Sequence, residues 1–143
     1  MPDHVMDAVD EVQAALRDFD ACFASGDAAG LTDLFTSDAQ LLLLHTEPIE
    51  GRPAILAHWT RLFGDYDTSS WHADHPVVEV HGDRAYTFST YTETLIPRGD
   101  GASRDVKGRL ILFLRRDAGE SWLVALAMNS HVRPVREVAS KAS

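Results

Sequence analysis

Cysteine is almost missing. Cys22 is the only one in 143 residues, so neither an intramolecular disulfide nor a cysteine-built zinc site can form within the chain. Positive charge is scarce too: 13 Lys and Arg stand against 22 Asp and Glu, a formal net charge of -9, and no basic cluster is longer than Arg115-Arg116. Such a field repels phosphate backbones and argues against nucleic acid as a partner. No apolar run approaches the ~18 residues of a membrane span. The first residues carry acids early, with neither a basic start nor a continuous apolar core, unlike a signal peptide. The expectation is a cytoplasmic protein without membrane contact. A glycine-rich phosphate loop, a nucleophile elbow and a dinucleotide fingerprint are all missing, so no nucleotide cofactor is expected.

What the chain does have is a pair of strongly apolar runs near its end. Residues 108–115 are mostly branched or aromatic apolar types, Asp117, Ala118, Gly119 and Glu120 interrupt them, and a second run begins at Ser121. This is a β-hairpin signal, and both runs are too apolar to leave one face in open water, so the hairpin belongs at the centre of a sheet. Strand alternation places Trp122, Val124, Leu126 and Met128 on one face. Leu123, Ala125, Ala127 and Asn129 fall on the other, with His131 continuing them. Small side chains ending in an amide and an imidazole mark either a cavity wall or a closely packed helix.

The rest of the chain supplies cover for that hairpin. Val5, Val9, Val12, Leu16, Phe19 and Phe23 form one stripe along a helix of roughly five turns, stopped at Ser25 and Gly26. Asp27 caps a short second helix carrying Leu31, Leu34 and Phe35. Residues 39–44 read as a short buried strand turning at 45–48, with Ile49 and Glu50 as a returning partner. A third helix starts at Gly51, Arg52 and Pro53, buries Ile55, Leu56, Trp59, Leu62 and Phe63, and ends at Gly64. Residues 65–70 read as a polar loop. Residues 71–81 and 84–95 form a second long hairpin around Gly82 and Asp83, and Pro134 closes the sheet. Helices first and long, mostly antiparallel strands afterwards predict an α+β cone with the helices on one side of a bent sheet. Residues 1–134 form one domain and 135–143 a frayed tail.

Three stretches, FASGDAAGLTDLFTSDAQLLL, EPIEGRPAI and GRLILFLRRDAGESWLVALAMNS, resemble the nuclear-transport-factor-2-like or SnoaL-like superfamily of cystatin-like cones. The hairpin, with arginines before its turn, a tryptophan after it and an asparagine near its end, looks most like the SgcJ/EcaC group. The resemblance spans about residues 5–132. It implies three helices packed on a strongly curved sheet, with a pocket between the first and third helices and the concave face. This superfamily hosts isomerases, cyclases, dehydratases, epoxide hydrolases and non-catalytic modules. The catalytic positions of ketosteroid isomerases fall near Phe19, Leu43 and Leu112, all apolar, so that mechanism is absent. Scytalone-dehydratase-like members use two pocket histidines, for which His72 is the counterpart.

By the resemblance, Tyr86, Phe88, Thr90 and Thr92 join Ala125, Ala127 and Asn129 on the pocket wall. His72, Asn129 and Tyr86 are the candidate catalytic groups. Phe19, Phe23, Trp59, Phe88, Thr90, Leu112, Ala127 and His131 are the candidate substrate contacts. An imidazole, an amide and a phenol in an apolar cavity can orient a carbonyl-bearing hydrophobic metabolite and move one proton. Each has a plainer reading as well. His72 can equally cap a strand end beside His75 and Pro76, Asn129 can be satisfied by water or backbone, and Trp59 and Trp122 serve as core anchors. Glu93 and Tyr91, of opposite parity, are expected on the convex face, and Cys22 as a buried inert thiol. No metal site is expected, since residues 72 and 75 point to opposite faces. Two functions follow: a cofactor-independent acid–base enzyme of isomerase, cyclase or dehydratase type, or a non-catalytic ligand-binding or dimerisation module. The apolar convex strip of Trp122, Val124, Leu126, Met128, Ile111 and Phe113 predicts a homodimer, with Arg109, Arg115 and Glu93 at its rim.

Overall fold

The structure, a computed structural model, describes residues 7–132 and the backbone of residues 136–137. Val5, Pro134 and most of the tail lie outside the described residues. Helix α1 spans Ala8–Ser25, capped by the Asp7 carboxylate, which accepts from the Asp10 amide at 2.8 Å. It ends at Gly26, whose φ of 70° is the left-handed conformation that glycine adopts without a Cβ clash. Helix α2 (Ala28–Thr32) begins at its Asp27 cap, and helix α3 (Arg52–Asp65) begins with Pro53 in its first turn. Gly64 does not end α3, which runs one residue further.

The strands are β1 (Phe35–Leu42), β2 (Ile49–Glu50), β3 (Tyr66–Asp67), β4 (His72–His81), β5 (Arg84–Pro97), β6 (Arg104–Arg115), β7 (Leu123–His131) and β8 (Arg136–Glu137). They form one curled sheet in the order β2-β1-β7-β6-β5-β3, with β4 beside the first part of β5 and β8 beside the start of β6. Every pairing is antiparallel except β1 with β7. The expected α+β cone of three helices on a curved, mostly antiparallel sheet is therefore the fold. Strand β1 starts earlier than its apolar run, and β3 occupies part of the expected polar loop. Among the described residues no helix is long and apolar enough to cross a membrane.

The core lies between the helices and the concave face. Val12, Leu16, Phe19 and Phe23 of α1 and Ile55, Trp59 and Phe63 of α3 meet Leu110, Leu112 and Leu114 of β6. Leu112 is fully buried, which contributes roughly 2–3 kcal/mol relative to exposure. Ile111 and Phe113 point away, as alternation requires.

Two face assignments are corrected. On β5 the inward residues are Ala85, Thr87, Ser89, Tyr91 and Glu93, while Tyr86, Phe88, Thr90 and Thr92 face outward. The reason is space. Side chains on the concave side of a curled sheet converge, and small Ala85, Thr87 and Ser89 stand opposite Leu114, Leu112 and Leu110. On β7 a bulge at Ala125 breaks the period: Phe113 pairs with Leu126, but Leu114 pairs with Val124. Trp122 and Val124 are consequently buried inside with Ala127, and only Leu126 and Met128 remain on the outer face.

Candidate functional site

A cavity of about 370 Å³ opens between α1, α3, the β1–β2 turn and the concave face. Its floor is set by register. Ser89, Leu110 and Asn129 stand side by side across β5, β6 and β7; Tyr91, Gly108 and His131 form the next row, and Glu93 and Val106 the one after. Phe19, Phe23, Trp59, Leu62 and Trp71 form the apolar walls, and His45, His58 and Arg104 line it as well. A wider depression of about 510 Å³ lies between Gly64 near the end of α3 and the loop residues Arg98 and Asp100, and its titratable lining residues are not buried.

Tyr91 is buried, and its ring lies across Gly108, where a Cβ would overlap the phenol. It stacks on Trp71 with ring centroids 4.7 Å apart. The Asn129 amide oxygen accepts from the Leu44 backbone N–H at 2.9 Å, which turns the amide nitrogen toward Tyr91, where it donates to the phenol oxygen at 3.2 Å. The phenol oxygen is the acceptor in that bond, and its own proton meets no acceptor among the described residues. Burial raises the Tyr91 pKa, the Asn129 hydrogen bond opposes that shift, and the nearby Glu93 adds to it.

Glu93 is the group that sequence reasoning placed on the wrong side. Its Oε1 is shut off from solvent and has no hydrogen-bond partner among the described residues. Burial lifts its carboxyl pKa from 4.5 to about 7. Burial also lowers the pKa of His58, with Arg61 adding to the effect, and that of His131, with His45 adding to it.

Of the residues named from sequence, Asn129, His131, Ala127, Phe19, Phe23 and Trp59 come together around this cavity. Leu112 lies beneath the floor in the packed core. His72 does not join them: it is on the outer face of β4, its side chain 72% exposed and 3.5 Å from Asp74. Tyr86 is outside as well, bonded to Glu79, and so are Phe88 and Thr90. The inward histidine of β4 is His75. Its Nε2 meets the Asp20 carboxylate at 2.6 Å and its Nδ1 the Ser89 hydroxyl at 2.5 Å, while the Trp71 indole N–H donates to the other Asp20 oxygen at 2.9 Å. This chain ties α1 to β4 and β5 directly behind the Trp71 wall. The Cys22 thiol is half-buried, its pKa raised by burial and then by Asp27, Asp18 and Asp33. Among the described residues, no three His, Cys, Asp or Glu side chains converge as a metal site needs.

The likeness to known structures is extensive in shape and low in sequence. A ketosteroid isomerase-like protein from Erwinia carotovora atroseptica SCRI1043 superposes with a TM-score of 0.83 at 18% identity, covering 91% of this chain and 100% of its own. A protein from Novosphingobium aromaticivorans DSM 12444, provisionally named a scytalone dehydratase, gives 0.78 at 13% identity over 93% and 89%. An NTF2-like protein with a cystatin-like fold from Novosphingobium aromaticivorans gives 0.66 at 20% identity over 87% and 81%. No curated protein matches by sequence. The family model of the SnoaL-like domain matches residues 16–123, three quarters of the chain, from within α1 to the start of β7. The chain belongs to the SnoaL-like domain family.

Proposed function

We propose that this protein is a cofactor-independent acid–base enzyme acting on a hydrophobic carbonyl compound held in the cavity. The observation that carries the reading is Glu93, a carboxyl on the cavity lining with one oxygen shut off from solvent and without a hydrogen-bond partner among the described residues, and a pKa of about 7. Such a group is about half ionised at neutral pH, the condition under which one residue can both take and return a proton.

The carboxylate of Glu93 removes a hydrogen α to the ligand's carbonyl. The Tyr91 O–H donates to the oxygen as negative charge develops there, and Asn129, donating to the phenol oxygen, strengthens that donor. Where the ligand carries a β,γ-double bond, the product is a dienolate, and protonated Glu93 delivers the same proton to its γ-carbon, which moves the double bond into conjugation. Where the ligand carries a β-hydroxyl instead, the C–O bond breaks as the α,β-double bond forms, and the hydroxyl takes the proton from Glu93 and leaves as water. The roles proposed for His72 and Tyr86 pass to Glu93 and Tyr91, while Asn129 keeps its place as the orienting amide. Within the family, the two arginines before the final turn, Trp122 after it and Asn129 carry the likeness to the SgcJ/EcaC group.

The test needs no knowledge of the natural substrate. In D2O the protein is expected to catalyse deuterium exchange at the α-carbon of a bicyclic ketone such as β-tetralone, followed by proton NMR. Glu93→Gln should lower the rate by about 100-fold or more, and Tyr91→Phe by about tenfold or more. A wild-type rate at background, or a Glu93→Gln protein as fast as wild type, would sink this reading.

We also propose that the outer face pairs with a second copy. After the face corrections its strip consists of Ile111, Phe113, Leu126 and Met128, joined by Tyr86 and Phe88 from β5. Phe113 is 45% exposed and Met128 38%.

A further inference from the structure

The walls of the cavity are apolar, but its titratable lining is mostly basic. Three imidazoles, of His45, His58 and His131, and the Arg104 guanidinium face it, against the single carboxyl of Glu93. The chain as a whole runs the other way, with 22 acidic against 13 basic residues. A site richer in bases than its surroundings can take an anion once its imidazoles are protonated.

Register sorts these groups across the floor. His131 stands at the end of β7 opposite Gly108, and Gly108 opposite Tyr91, whose phenol lies over the glycine. His45, in the β1–β2 turn with φ 64°, is close enough that its charge acts on His131. Glu93 is on β5, beyond β6 from that pair. Two strand spacings, about 10 Å, therefore separate the imidazole side of the cavity from the carboxyl side.

We infer that the cavity takes a hydrophobic anion, a flat carboxylate of about two fused rings, whose carboxylate meets His45 and His131 while its ring body lies against the apolar walls formed by Phe23, Trp59 and Trp71. The inference rests on this cavity being the functional site, as proposed above, and names its substrate class. A carboxylate offers two oxygens, one to each imidazole, and each contact is strongest when the imidazole is protonated. The far end of such a molecule reaches Glu93, which removes a hydrogen α to a ketone carried at that end. The other charged or titratable groups lining the cavity beside the imidazole pair are Tyr91 and Glu93 on β5, Arg104 on β6 and His58 on α3, and Glu47 stands two residues from His45 in the same turn. From α1 the cavity receives only Phe19 and Phe23.

Trp59 and Trp71 line the cavity and report its occupancy by fluorescence. Naphthoate and its methyl ester serve as probes, titrated at about pH 6 and about pH 8. Naphthoate is expected to bind about tenfold more tightly at the lower pH, with the ester unchanged. The doubly substituted His45→Gln, His131→Gln protein should lose that pH dependence while still binding the ester. Glu93→Gln should keep it, which separates the imidazoles from the carboxyl's own titration. Equal binding of acid and ester by the wild type overturns the inference. So does a pH preference that survives the double substitution, or binding of neither probe. Deuterium exchange into an uncharged ketone needs Glu93 and neither imidazole, so the acid–base reading stands or falls separately.

Discussion

Tyr91 lies flat across Gly108, its partner in the β5–β6 ladder, and the phenol occupies the space a Cβ of residue 108 would need. The glycine thus fixes where the phenol oxygen sits relative to Asn129. Gly108→Ala should force the ring aside and cost about 1–3 kcal/mol, the usual range for overpacking. In a Tyr91→Ala background the same change should cost much less, because nothing then occupies the space. A double-mutant cycle by urea denaturation measures the coupling, and additive costs would show that the two residues do not compete.

Glu93 makes stability fall as pH rises. Its folded pKa of about 7 exceeds the ordinary 4.5, so in that interval the folded state holds a proton that the unfolded chain has released. Stability is therefore full below about pH 4.5 with respect to this group, declines between there and about pH 7, and stays reduced above. The loss is at most on the order of 3 kcal/mol. Calorimetry at about pH 5 and about pH 8 should give a lower Tm for the wild type at the higher pH, and Glu93→Gln should remove that part of the difference. An unchanged pH dependence in the variant contradicts the burial described.

The Asp20–His75–Ser89 chain predicts a structural effect that sets it apart from the cavity groups. His75→Leu leaves the fully buried Ser89 hydroxyl and the Asp20 carboxylate without the imidazole. The expected cost is about 1–3 kcal/mol. His72→Ala, on the outer face, should stay within about 0.5 kcal/mol of wild type and leave α-hydrogen exchange unaffected. Chemical denaturation of the two variants side by side checks both, and a large effect of His72→Ala on exchange would reverse the assignment.

Light scattering addresses the outer face. The wild type is expected to be a dimer at micromolar concentration, and Phe113→Lys, at the most exposed apolar residue of that strip, should give a folded monomer. A wild-type monomer, or a Phe113→Lys protein that stays dimeric, removes this interface.

The fold was legible because its signals are local. The α1 stripe, the Gly26 and Gly51 boundaries and the β6 alternation of Leu110, Leu112 and Leu114 each follow from a period or a cap. Asn129 and Ala127 were placed at the cavity for the same reason. What period alone could not carry was parity across irregular strands. The Ala125 bulge turns Trp122 and Val124 inward, and the register break between Asp74 and Val77, around Pro76, distorts β4. On β5 the large residues, Tyr86 and Phe88, drew attention, yet the concave side takes small ones. The size match of Ala85, Thr87 and Ser89 to three facing leucines was the available signal, and it carries Tyr91 and Glu93 inward with it.

The central claim is that Glu93 is a buried proton carrier, and a carbon-13 NMR titration of its side-chain carboxyl measures this directly, with Glu93→Gln identifying the resonance. The account predicts a midpoint near 7, from the desolvation of a carboxyl with one unpartnered oxygen. A midpoint in the ordinary glutamate range, about 4.3, would contradict it.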